Sequence, residues 1–189
     1  MSPEQEQKLD EIATELFDYV DNVKIIKDLF DALPVKQGIA SPYLNFRDAL
    51  FHYNKMYKAA NDNNDYSFIQ QCACVEEHLN RGLKDFSIHL CNNYYIKIIH
   101  QMILNKEKNG NKEMIKKLRK VYHNMKNLIV EIRLTGQTLQ HFDDNKNTWL
   151  PKVVNTIETF DSLLGEYPIL KRLYNQFSKV DNLIQSSPK

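Results

Sequence analysis

The chain has 189 residues and a mass of 22.3 kDa, the size of one domain and enough to bury a core without disulfides or metal. With 42% hydrophobic and 26% charged residues it is not a disordered chain, and 5 Gly and 6 Pro are too few for a turn-rich sandwich or barrel. The 25 basic and 24 acidic residues leave a formal charge of +1, so overall charge does not draw the protein to nucleic acid or to an anionic membrane.

Apolar residues recur at three and four along almost the whole chain, and strict alternation is nearly absent, which predicts helices throughout. Ser2-Pro3 opens the first: a helix N-cap followed by proline at the first helical position. Its stripe is Leu9, Ile12, Leu16, Val20, Val23, Lys27, Phe30 and Leu33, and Pro34 and Gly38 then break the chain. Ser41-Pro42 repeats the signal. The second helix is expected over Pro42 to Ala60, with Phe46, Ala49, Leu50, Tyr53, Met56 and Tyr57 facing inward. Asn61 to Asp65 reads as a turn, because Asn and Asp side chains bond to nearby backbone and compete with helix. Asp65 or Ser67 is expected to cap a long third helix reaching Asn105, with Phe68, Cys72, Val75, Leu79, Leu83, Phe86, Leu90, Tyr94 and Ile98 as its stripe. If straight it would be about 60 Å long, and Gly82 marks either a bend or a close helix contact.

Lys108-Asn109-Gly110-Asn111 is the next break. The fourth helix carries Met114, Ile115, Leu118, Val121, Met125, Leu128, Ile129 and Ile132, with a continuation toward Leu139 and Phe142. The polar run Asp143 to Thr148 is expected to end it. A fifth helix covers Trp149 to Leu164 and a sixth Pro168 to Ile184, separated by Gly165-Glu166-Tyr167. The expected architecture is all-α: a single up-and-down bundle of five to six helices over residues 1–185, one of them long, with 186–189 as a short tail.

No apolar run approaches the roughly 20 residues that span a bilayer. The first residues lack the basic and apolar regions of a secretory signal. Cys72, Cys74 and Cys91 are an odd number of thiols, which fits a reducing compartment. Together these predict a cytoplasmic protein with no membrane partner. Cys72 and Cys74 lie about 200° apart on a helix and cannot share a metal, and no second Cys or His pair completes a zinc pattern. Neither Glu76 nor Glu77 has a histidine three residues on, so a di-iron bundle motif is missing. No glycine-rich phosphate loop occurs, and no cofactor or metal is expected.

Several polar arrays first suggest solvated helix faces. Glu77, Arg81 and Asp85 form an i,i+4 ladder; Asp85, His89 and Asn93, and His123, Asn127 and Glu131, repeat that spacing. The densest cationic stretch runs from Lys106 to Lys120 and reads as an exposed helix face or, alternatively, a phosphate-contacting edge.

One segment carries chemistry. Arg47-Asp48-x3-His52 lies in the second helix. Asp48 and His52 are four apart, about 40° around the axis, so their side chains can meet, and a carboxylate beside histidine favours the imidazolium. Arg47 lies about 140° from His52, so the two do not share a face within one subunit. Arg47 and Asn54, seven apart, do. His52 suits acid–base work near neutral pH, and Arg47 suits a phosphate through bidentate hydrogen bonds.

This segment resembles the signature of the HEPN superfamily (higher eukaryotes and prokaryotes nucleotide-binding domains), an all-α family with Arg, four to six residues, then His, often with Asn, Asp or His after the Arg. The motif here sits in the second helix, whereas in many members it lies near the end of the domain. The resemblance implies a metal-independent endoribonuclease, a homodimer whose site is composed where two motifs meet, of the kind found in toxin–antitoxin and antiviral defence, or an inactive binding module. The expected substrate is RNA, cleaved by attack of its 2′-hydroxyl on the neighbouring phosphorus. Arg47 would stabilise the phosphate, His52 exchange protons, Asp48 orient His52, and Asn54 or Tyr53 assist; an antitoxin or sensor protein is a further expected partner. The alternative is a non-catalytic helical protein-interaction module, which predicts an outer apolar patch around Tyr94, Tyr95, Ile98 and Ile99.

Overall fold

The structure is a computed structural model that describes residues 1–31, 41–106, 111–138 and 142–185, limited to the backbone at 25–31, 41, 93–94, 136–138, 142–146 and 178–185. Its elements are α1 (Pro3–Asp31), α2 (Ser41–Asn61), α3 (Asp65–His89), a π-helical segment (Leu90–Ile96), α4 (Lys97–Lys106), α5 (Lys112–Thr138), α6 (Phe142–Glu166) and α7 (Pro168–Gln185). Asp65 to Lys106 is one uninterrupted helical run, so the described residues form six helical rods and no strand, as the periodicity predicts. No described helix is long and apolar enough to cross a membrane. The breaks expected at Pro34–Gly38 and at 108–110, and the tail 186–189, lie outside the described residues.

The residues gather into two compact units: Met1–Ile25, Ile39–Phe86 and Arg133–Thr148 in the first, and Ile26–Gly38, Ser87–Ile132 and Trp149–Lys189 in the second.

In the first unit α1 starts as its sequence dictates. The Gln5 amide donates to Ser2 Oγ at 3.3 Å and the Ser2 amide donates to Gln5 Oε1 at 2.8 Å, a reciprocal cap. Gln5 then donates to Asp65 at the head of α3. The buried stripe of α1 is Leu9, Ile12, Leu16, Tyr19 and Val23; Tyr19 replaces the expected Val20, which is exposed. Tyr19 stacks on Phe46 at 5.8 Å and donates to the Pro42 carbonyl at 2.8 Å, fastening α1 to the start of α2. α2 buries Ala49, Met56, Ala59 and Ala60 and leaves Leu50 and Tyr57 exposed, against the sequence expectation. Periodicity fixes a stripe's spacing but not its centre, and here alanines face the neighbouring helices. The turn between α2 and α3 has Asn63 in the left-handed region at φ 52°. Asn64 caps α3, in place of the expected Asp65 or Ser67, accepting from the Ser67 amide at 3.0 Å.

Gly82 is a close contact, not a bend: α3 continues through it to His89. A methyl group there would lie 2.9 Å from Asn45 Cβ and 3.1 Å from Tyr19 Cζ. The irregularity falls later, in the second unit. Over Leu90–Ile96 the backbone follows π geometry, whose i→i+5 bonding puts more residues in the turn and shifts the register of the side chains that follow. Tyr95 is therefore buried at 1% exposure, edge-on to Phe160 at 5.7 Å. Ile98 and Ile99 are buried too, so the outer patch predicted around them is absent; the Tyr94 side chain is outside the described residues. α4 packs on α7. α5 buries every apolar residue predicted for it from Met114 to Ile132. α6 starts at Phe142, not Trp149, so the polar run expected to be a break is its first turns, and Pro151 sits inside it. Asn147 is exposed, and Trp149 begins the buried stripe.

Candidate functional site

The motif residues lie on α2, and α3 completes the site. Arg47 is 71% exposed, and its Nε and Nη2 donate to Asp48 Oδ1 at 3.0 and 2.8 Å. This ion pair holds the Asp48 carboxyl below its ordinary range, chiefly through the hydrogen bond from Arg47, with His78 and His52 adding favourable charge. Asp48 does not take the expected position on His52. A charge-assisted guanidinium bond is stronger than one to a neutral ring, and α3 supplies His52 with another partner: Gln71 Oε1, 2.7 Å from His52 Nδ1. A carboxamide oxygen only accepts, so Nδ1 is the donor in this contact and Nε2 is left to other partners.

Beside it stands a histidine that the motif did not predict. The rings of His52 and His78 stack at 5.3 Å with 20° between their planes. His78 Nδ1 faces Asn45 Oδ1 at 3.4 Å, which repeats the same tautomer logic on the second ring. Both rings are half-buried. Burial, then the neighbouring His52, lowers the pKa of His78 below its ordinary 6.5. Phe51 meets His52 edge-on at 5.5 Å, and Lys55 Nζ lies 4.4 Å over the Phe51 ring. The Glu77–Arg81 ion pair, expected from the ladder, forms on the same helix as His78.

The remaining predicted residues separate. Asn54 is exposed on the outward face of α2 that carries Arg47. Tyr53 turns toward α1, where burial and then Asp10 raise the pKa of its hydroxyl, so it does not assist at His52. The residues missed from sequence are Asn45, Gln71 and His78. A signal existed: Gln71 and His78 are seven apart, each immediately before a core position of α3, Cys72 and Leu79. Polar residues at that edge of a stripe meet the neighbouring helix.

The cysteines are free thiols, Cys72 and Cys91 buried. Burial pushes Cys72 up to about 11 and Cys91 up to about 12, which makes them poor nucleophiles. Among the described residues no group of three or more His, Cys, Asp or Glu is placed to hold a metal ion. His123 and Asn127 are exposed while Glu131 pairs with Lys152, so that array does not converge.

No protein-family model matches the chain, and neither a curated protein nor a solved structure matches it.

Proposed function

We propose that the protein is a HEPN-like, metal-independent endoribonuclease, of the type used in toxin or antiviral-defence systems, working in the cytoplasm. One observation carries the reading: His52 and His78 stack beside the Arg47–Asp48 pair with each Nδ1 against an amide oxygen. His78, its pKa lowered by burial and then by His52, is suited to take the proton of the RNA 2′-hydroxyl, and His52 to give a proton to the leaving 5′-oxygen. The attack forms the O2′–P bond and breaks the P–O5′ bond, leaving a 2′,3′-cyclic phosphate and a 5′-hydroxyl. Arg47, exposed and cationic, is suited to the phosphorane charge; Asp48 positions Arg47 rather than His52. Asn54 lies on Arg47's face, available to a phosphate or to a second subunit in a homodimer.

A second reading rests on a different observation. The outward face of α2 exposes Tyr43, Leu44, Leu50, Phe51 and Tyr57, more apolar surface than one helix ordinarily leaves in water. This favours a non-catalytic interaction module, with a second copy, an antitoxin or a sensor protein covering that face.

The test is cleavage of RNA in EDTA by the wild type, His52→Ala and His78→Ala, with product ends identified. Cyclic phosphate ends from the wild type and their loss in both variants support the nuclease. Equal cleavage by all three, or none by the wild type, favours the interaction module.

A further inference from the structure

The exposed face of α5 shows a second pattern, in the second unit. Lys112, Lys116, Arg119, His123 and Lys126 follow one another at intervals of four, three, four and three, so they form a single stripe, and all are exposed. Lys120 flanks it. At 1.5 Å per residue the stripe is about 21 Å long. No acidic residue interrupts it. The two acids of this helix lie to the side and are engaged elsewhere: Glu113 is 3.7 Å from Lys117, which also reaches Glu166 at 2.6 Å, and Glu131 pairs with Lys152. In a chain of net charge +1 this is a local concentration of one sign.

Two further features make the stripe more than a solvated face. A cavity of about 280 Å³ opens at its first two turns, lined by Lys112, Ile115, Lys116 and Arg119. Aromatic rings border its other end. His100 stacks on Tyr122 at 5.9 Å and 26°, Tyr122 meets His123 edge-on at 5.6 Å, and Lys126 Nζ lies 5.0 Å from the centre of the Tyr122 ring. Cations in a row beside aromatic rings, here exposed His100 and His123 around a half-buried Tyr122, are the two elements of single-strand recognition: cations follow the phosphates, and rings stack on bases whatever their identity.

We propose that this face of α5 is a track for single-stranded RNA, with phosphates on Lys112, Lys116, Arg119 and Lys120 and bases against His123 and the adjoining Tyr122–His100 stack. The choice of RNA rests on the nuclease reading; the track itself does not. A lone phosphate would use one turn of the stripe, not 21 Å of it. A lipid surface would need apolar side chains beside the cations, and from Met114 to Ile132 those of α5 are buried in the protein, Val130 excepted.

The experiment is fluorescence anisotropy with a short single-stranded RNA made uncleavable by 2′-O-methyl groups. It is read between about 50 and 200 mM salt. Three or four phosphate contacts give a slope of log K against log salt of about −2 to −3. Combined Lys112→Glu, Lys116→Glu and Arg119→Glu should weaken binding more than tenfold and flatten the slope; its circular dichroism checks folding. His123→Ala, a milder change, should weaken binding several-fold with the slope unchanged. Wild-type affinity in the triple variant overturns the track and leaves the nuclease reading intact. Unmodified RNA that binds through α5 but is left uncleaved by the wild type keeps the track and removes the nuclease. Retention of the wild type on phosphatidylserine vesicles, abolished in the triple variant while RNA does not bind, replaces the track with a membrane contact.

Discussion

The α2–α3 site and the α5 face are both polar patches on helices, but they use their side chains in opposite ways. On α2 and α3 each histidine has a neutral amide partner, a ring neighbour and partial burial, so the orientation of each ring is fixed by contacts. On α5 the cations are exposed and their spacing is that of the helix repeat. The first arrangement suits chemistry at a point, and the second suits attraction along a line. The lesson is to ask what fixes a polar group, not how many polar groups gather.

Variants can break this contrast. The largest expected effect is at the ring pair: His52→Ala and His78→Ala should each lower kcat about 100-fold or more with KM little changed, the range for losing one acid–base group. A double variant no worse than either single one would show that the rings act as a unit. If only His52 matters, the pair is decoration and the contrast between the two regions narrows. Gly82→Ala should come next, destabilising the protein by about 1–3 kcal/mol in urea unfolding, because Tyr19 and Asn45 must shift to admit the methyl group. Gln71→Leu should lower kcat about tenfold and change its pH profile, since the His52 tautomer loses its acceptor. In the second unit, Tyr95→Phe should be neutral or stabilising by about 1 kcal/mol, because its hydroxyl is buried with no hydrogen-bond partner among the described residues.

The smallest effect concerns acid. His78 has a pKa lowered on folding, by burial first and His52 second. The unfolded chain therefore binds its proton more readily, and stability falls as pH drops through the ordinary histidine value of 6.5 into the folded-state range. His78→Gln should reduce that slope in thermal unfolding followed against pH. An unchanged slope would mean that the pair's environment does not act on proton binding.

The fold was largely legible because its cause is local. Spacings of three and four placed the stripes of the third and fourth helices, and Ser2-Pro3 marked the start of α1. Where the sequence misled, a nonlocal contact decided. Tyr19 took the core position expected for Val20 because Phe46 and the Pro42 carbonyl receive it. Tyr95 is buried because π geometry shifts the register at Leu90–Ile96, and nothing in a stripe of apolar letters reports a change of helix type. Asp143 to Thr148 looked like a break because polarity alone does not distinguish a loop from a helical turn.

The candidate site divides along the same line. Sequence alone determined that Arg47, Asp48 and His52 share one helix, that Arg47 and His52 point apart, and that α5 repeats cations on one face, since all three follow from the rotation per residue. Only tertiary structure placed Gln71 and His78 against His52 and set Asn45 beside His78. Those partners lie 19 and 33 residues away from the groups they hold, and no local rule of helix geometry joins residues across two packed helices.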